Sequence, residues 1–132
     1  MGGLSRVGFV ILALALGAAP GSAEIRVGIT VSATGPGSSL GQPQMKSVAT
    51  LPKEIEGEKV TYIALDDESD ATKGTQNARK LIQDSKVDVL LGSSLTPVSL
   101  PLIDIAADAK VPLLTMAASH VLVTPVTDKG VR

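Results

Sequence analysis

From Glu24 onward, short apolar runs rich in β-branched residues alternate with segments of helical character, and this alternation constrains the fold more than any other feature of the chain. IRVGITV, VTYIAL, VDVLL and VPLLT each read as one buried strand. Three helical segments separate them. In QPQMKSVATLPKEI, Pro43 lies near the start, and Met45, Val48, Ala49 and Ile55 fall at mostly helical spacing. Pro52 is expected to kink or shorten its last turns. In DATKGTQNARKLIQDS, Asp70 caps the free N–H groups, Ala78, Leu81 and Ile82 form a buried stripe, and Arg79, Lys80 and Gln83 face water. Gly74 is expected to weaken that helix by about 1 kcal/mol relative to Ala. In TPVSLPLIDIAADA, Thr96 is the expected N-cap and Pro97 the first helical residue, where its missing N–H is harmless; Pro101 still sits in the early turns.

The order β-α-β-α-β-α-β predicts an α/β fold with a doubly wound parallel sheet and right-handed crossovers. With strand order 2-1-3-4, a crevice opens at the carboxyl edge, where the loops after the first and third strands diverge. Those loops are SATGPGSSLG and GSSLT, and MAASH, after the fourth strand, is the neighbour of GSSLT. Three loops rich in Ser, Thr or Gly therefore converge by topology alone.

At 132 residues the chain is long enough for one small domain. Its first 23 residues carry Arg6, the apolar run VGFVILALALGAA and then PGSAE, the layout of a cleaved secretory signal; an uncleaved anchor is the rival reading. The apolar run is shorter than the roughly 20 residues that span a bilayer. Export without any cysteine excludes a disulfide framework and a lipid-modified N-terminal Cys. After removal of residues 1–23, 11 basic residues stand against 13 acidic ones, and no basic face invites nucleic acid. Tyr62 is then the single aromatic residue, too few for an aromatic cage or a base-stacking platform.

Several chemical motifs fail on spacing. GPGSSLG follows a strand and precedes a helix, but its G-x-G-x-x-x-G pattern is not the dinucleotide fingerprint, and no Gly-Lys-Ser/Thr triplet exists to close a P-loop. DDESD alternates acids as a calcium loop does, yet Ala71 takes the glycine position and Asn77 that of the bidentate Glu; helix capping and a solvated turn are the expectation. No cofactor or metal is implied. Ser94 lacks the closing glycine of a nucleophile elbow, which leaves a triad with His120 and some carboxylate as an alternative of different class, an exported serine hydrolase. What remains is a pair of anion-facing loops, GSSLTP and AAS. A ligand carboxylate placed before Pro97 would meet backbone N–H groups and the Ser94 and Thr96 hydroxyls, each charge-assisted bond contributing roughly 1.5–3 kcal/mol. Thr96 can equally direct its hydroxyl to its own helix, and both readings stay open.

The ordered set of IRVGITVSATGPGSSLGQP, LPKEIEGEKVTYIALDDESDATKGTQNARKLI and VDVLLGSSLTPVSLPLIDIAADAKVPLLTMAAS resembles the branched-chain amino-acid type substrate-binding proteins of ABC transporters, over about Ile25 to Pro125. The resemblance implies a type I periplasmic-binding fold of two α/β lobes closing on an amino acid or similar small carboxylate. Carried over by motif position, Ser93, Ser94 and Thr96, then Ala117, Ala118 and Ser119, would hold the ligand's carboxylate and amine, with backbone groups important in the second loop. Ser38, Ser39 and Leu40 would line the mouth. It further implies a periplasmic, monomeric protein that delivers its ligand to a membrane permease. Residues 24–132 correspond to an incomplete N-terminal lobe, for which a premature stop or frameshift near Lys129 is the expected origin. A ligand-sensing receptor lobe on the same fold is the other alternative.

Overall fold

The structure, a computed structural model, describes residues 24–122. The expected signal over residues 1–23 lies outside them.

Four strands run parallel: β1 (Glu24–Val31), β3 (Glu58–Asp66), β4 (Val89–Leu91) and β5 (Leu113–Leu114). A short antiparallel strand, β2 (Glu54–Ile55), pairs with the outer side of β3, so the sheet order is β2-β3-β1-β4-β5. The predicted parallel order holds, with β2 added at one edge. Register sets Val31 opposite Asp66 and Ile29 opposite Leu91, which brings the ends of β3 and β4 to either side of the end of β1.

The connections are α1 (Ser38–Ser47), α2 (Ala71–Gln83) and α3 (Thr96–Ala109). Period-two alternation divides β1 between two layers. Val27, Ile29 and Val31 form one core with Val60, against which Met45 and Val48 pack from the α1 side. On the other face Ala78, Leu81, Val87, Leu90 and Leu102 make the core under α2 and α3. Here β1 presents Gly28, where a β-carbon would stand 3.1 Å from both Val87 methyls and 3.2 Å from Leu81. The missing side chain lets α2 sit close to the sheet.

Helix α2 starts as expected. The Asp70 carboxylate accepts from the Lys73 N–H at 2.8 Å; Ala78 and Leu81 are buried, Ile82 is half-buried, and Arg79, Lys80 and Gln83 are exposed. Gly74 has a packing role that its propensity hides. A β-carbon there would lie 2.5 Å from Val98 Cγ1, so this glycine sets the approach of α2 to α3.

Three expectations are corrected. The first helix begins at Ser38 rather than Gln42 and ends at Ser47; Pro43 is inside it, and a 3-10 turn over Val48–Thr50 follows. Ile55 belongs to β2, because Glu56 and Gly57 both take positive φ, 51° and 85°, and turn the chain into a two-residue hairpin whose twist suits the flanking strands. Thr96 is the first helical residue of α3 and not its cap. Leu95 occupies the N-cap with extended φ and ψ and contributes no side-chain bond, while Pro97 stands one residue further in.

Candidate functional site

The loops that follow β1, β3, β4 and β5 meet at the carboxyl edge of the sheet, and two adjacent aspartates at the end of β3 hold them there. The reading of DDESD as a solvated turn applies only to its later part. Asp66 Oδ1 accepts from the backbone N–H groups of Ala33 (2.9 Å), Thr34 (3.2 Å) and Glu68 (2.8 Å), and Oδ2 accepts from the Thr34 hydroxyl at 2.7 Å. Burial pushes this carboxyl up. The Thr34 hydroxyl and the N–H groups of Glu68, Thr34 and Ala33 together outweigh that push and hold its pKa below the usual aspartate value.

Asp67 turns inward and is completely buried. Its Oδ1 accepts from Ser32 Oγ at 2.7 Å and from the Ser69 N–H at 3.0 Å; its Oδ2 accepts from Ser93 Oγ at 2.6 Å and from Thr30 Oγ1 at 3.2 Å. One carboxylate thus joins the end of β1, the turn after β3 and the loop after β4. Hydroxyl and amide donors fill both of its oxygens, and it forms no ion pair among the described residues.

The loop after β1 follows the same surface closely, and its glycines allow this. Gly35 (φ 75°) passes over the carbonyl of Glu68, where a β-carbon would lie 2.5 Å from the oxygen. At Gly37 a β-carbon would come within 2.8 Å of Leu95 Cδ1, so the loops after β1 and β4 touch at this point. Gly37 also receives support from Ser69 Oγ, which accepts its N–H at 2.9 Å.

The sequence-derived candidates divide into two groups. Ser93 and Ser94 are buried, and both hydroxyl hydrogens are committed within the protein: Ser93 donates to Asp67, and Ser94 donates to Gln44 Oε1 at 2.5 Å while accepting the Ser32 N–H at 3.1 Å. Ala117 is buried too, its N–H donated to Thr115 Oγ1 at 3.2 Å. Thr96 and Ser119 are half-buried, Ala118 is exposed, and the Ser119 N–H turns back to the Ala117 carbonyl at 3.1 Å. Ser38 is half-buried, with Ser39 and Leu40 exposed at the start of α1. Because the Leu95 side chain has no acceptor, the N–H groups of Thr96 and Val98 in the first turn of α3 go without a side-chain cap, at the positive end of the helix dipole.

This wiring bears on the hydrolase alternative, since the Ser94 hydrogen goes to an amide oxygen and not to an imidazole. Among the described residues no group of three or more His, Asp or Glu is placed to hold a metal ion. Sequence reasoning missed Ser32, Gln44, Asp67, Ser99 and Thr115, the residues that support the loops. The position of Asp67, directly after a strand that neighbours two hydroxyl-rich loops, is the one signal that could have found any of them.

The sequence model of the periplasmic binding protein family matches residues 24–130. Among solved structures, an extracellular ligand-binding receptor from Rhodopseudomonas palustris is 71% identical with a TM-score of 0.80, the alignment covering 82% of this chain and 30% of that one. A solute binding protein of an ABC transporter from the same species, in complex with 3,4-dihydroxy benzoic acid, is 30% identical with a TM-score of 0.66, over 71% of this chain and 27% of that one. A leucine binding protein from Thermotoga maritima, at 24% identity, has a TM-score of 0.66 over 76% of this chain and 30% of that one, and shows the shared fold. The chain therefore spans about 30% of the length of these solved relatives. No curated protein matches it.

Proposed function

The chain belongs to the periplasmic binding protein family, and from that membership we propose that it serves solute capture for an ABC importer, with a small carboxylate as ligand. The observation that carries the ligand class is the start of α3. Its first-turn N–H groups have no side-chain cap and carry a partial positive charge, and the helix starts directly from the loop after β4. A relative of 30% identity that holds a benzoic acid derivative supports a carboxylate, with branched-chain amino acids the other candidates of this chemistry.

In this reading Thr96, Ala118 and Ser119 face the ligand, Ser93, Ser94 and Ala117 supply backbone groups and the wall behind it, and Ser38, Ser39 and Leu40 line the mouth. The protein is exported to the periplasm by a cleaved signal over residues 1–23, acts as a monomer, and passes its ligand to a membrane permease. No catalytic step is required of it.

The test is titration of the ¹⁵N-labelled chain with L-leucine and with 3,4-dihydroxybenzoate, followed by NMR. Saturable shifts confined to residues 92–98 and 115–119 are expected from at least one of them. Saturable shifts centred elsewhere, or none from either compound, would remove the reading.

A further inference from the structure

The enclosed carboxylate of Asp67 is the start of a longer connection. Ser93, whose hydroxyl it holds at 2.6 Å, donates its own N–H to Ser99 Oγ at 2.8 Å, and Ser99 returns its hydroxyl to the Ser93 carbonyl at 3.2 Å. Ser99 then accepts from Thr115 Oγ1 at 3.3 Å, and Thr115 accepts the Ala117 N–H at 3.2 Å. Asp67, Ser93 and Ser99 are all buried, so the bonds among these three lie where water cannot readily substitute for them, while Thr115 is half-buried. The path begins beside β3, passes behind the first turn of α3, and ends in the loop after β5.

We infer that Asp67 is the positioning residue of the crevice, its carboxylate fixing the loops after β4 and β5 through the relay Ser93, Ser99, Thr115 and Ala117 while itself touching no ligand. The significance of this for recognition rests on the binding role proposed above; the relay itself does not. A carboxylate suits the place because all four of its partners donate. An asparagine of the same size would set an NH₂ against the Thr30 and Ser93 hydroxyls, and Thr30 Oγ1 already accepts from Asn77 Nδ2 at 3.3 Å. Reversal of either hydroxyl leaves its hydrogen seeking a new acceptor in the interior.

Amide hydrogen exchange on the whole chain tests the relay without any ligand. In Asp67→Asn, the Ser93 and Ala117 amides are expected to exchange roughly tenfold faster or more, while Ala78 and Leu81 in α2 keep their rates. Asp70→Asn, which removes a nearby carboxylate outside the relay and retains a capping side chain, is expected to leave all four unchanged. Unchanged rates at Ser93 and Ala117, or acceleration shared equally with α2, would overturn the inference.

If Asp67→Asn does not fold, Ser99→Ala decides. It cuts the relay beyond Asp67 and should accelerate Ser93 and Ala117 while sparing Ser69; an unaffected Ala117 refutes the proposal. Titration of the same variants with L-leucine and 3,4-dihydroxybenzoate separates the two readings. If the unaltered chain binds neither compound, the binding role fails and exchange still judges the relay. If the chain binds, Asp67→Asn is expected to weaken binding about tenfold or more, and unchanged affinity counts against positioning.

Discussion

Ser94 joins the loop after β4 to helix α1 by giving its hydroxyl hydrogen to Gln44 Oε1 across 2.5 Å, and its own Oγ accepts the backbone N–H of Ser32 at 3.1 Å. Three elements are bound by one side chain at the floor of the crevice. Ser94→Ala therefore strands a buried N–H as well as the Gln44 amide, and is expected to lower stability by about 1–3 kcal/mol. Gln44→Ala leaves the Ser32 bond in place and should cost less. Urea unfolding of both variants gives the order, and the reverse order would contradict the arrangement described here.

Gly41, inside α1, and Gly57, in the turn between β2 and β3, should respond very differently to alanine. At Gly41 a β-carbon collides with the Ser32 carbonyl, backbone that cannot rotate away, and Gly41→Ala is expected to cost about 3 kcal/mol or more. At Gly57 nothing lies within 4 Å, and the penalty is only that of an alanine at φ 85°, about 1–2 kcal/mol. Thermal or urea unfolding distinguishes them, and equal losses would show that α1 can shift to accept a side chain at Gly41.

Gly74 and Val98 form a pair suited to a double-mutant cycle. Gly74→Ala gains up to about 1 kcal/mol of helix propensity but drives a methyl into Val98 Cγ1, with a net loss expected. Val98→Ala alone loses buried contacts. The double variant should be more stable than the sum of the two losses implies, by at least about 0.5 kcal/mol. Strict additivity would place the two helices farther apart than described.

Asp66 sets an acid limb on stability. Its folded pKa lies below the ordinary aspartate value of about 3.9, so its contribution is fully present above that pH and is lost as pH falls through the lower, folded value. Asp66→Asn should flatten the stability profile below about pH 4 while reducing stability at neutral pH. A variant that keeps the full acid dependence would assign the limb to other carboxylates.

The parallel core, α2 with its Asp70 cap and the convergence of the hydroxyl loops could all be read from the sequence, because each rests on local periodicity or on topology. The hairpin at β2 could not: Ile55 falls in helical register with Val48, and nothing in Glu56 announces a positive φ. Helix α1 starts early because Gly37 ends the preceding turn without a polar cap, a start that carries no side-chain signature. At the crevice, the residue types were legible and their tasks were not. Whether a serine hydroxyl faces a ligand or an aspartate depends on which strand end lies beside it, and that is fixed only when β1, β3 and β4 come into register.

The committed bonds of Ser32, Asp67, Ser93 and Ser94 separate the crevice into frame and lining. Thr96, Ala118, Ser119 and Ser39 carry no bond on which another loop depends, so their side chains can be exchanged while the frame stands. In the binding role proposed above, a lobe organised this way can acquire a new ligand preference by a few surface substitutions, with little disturbance to its folding. Redesign of this chain for another ligand should accordingly start from those four positions and leave the buried hydroxyls alone.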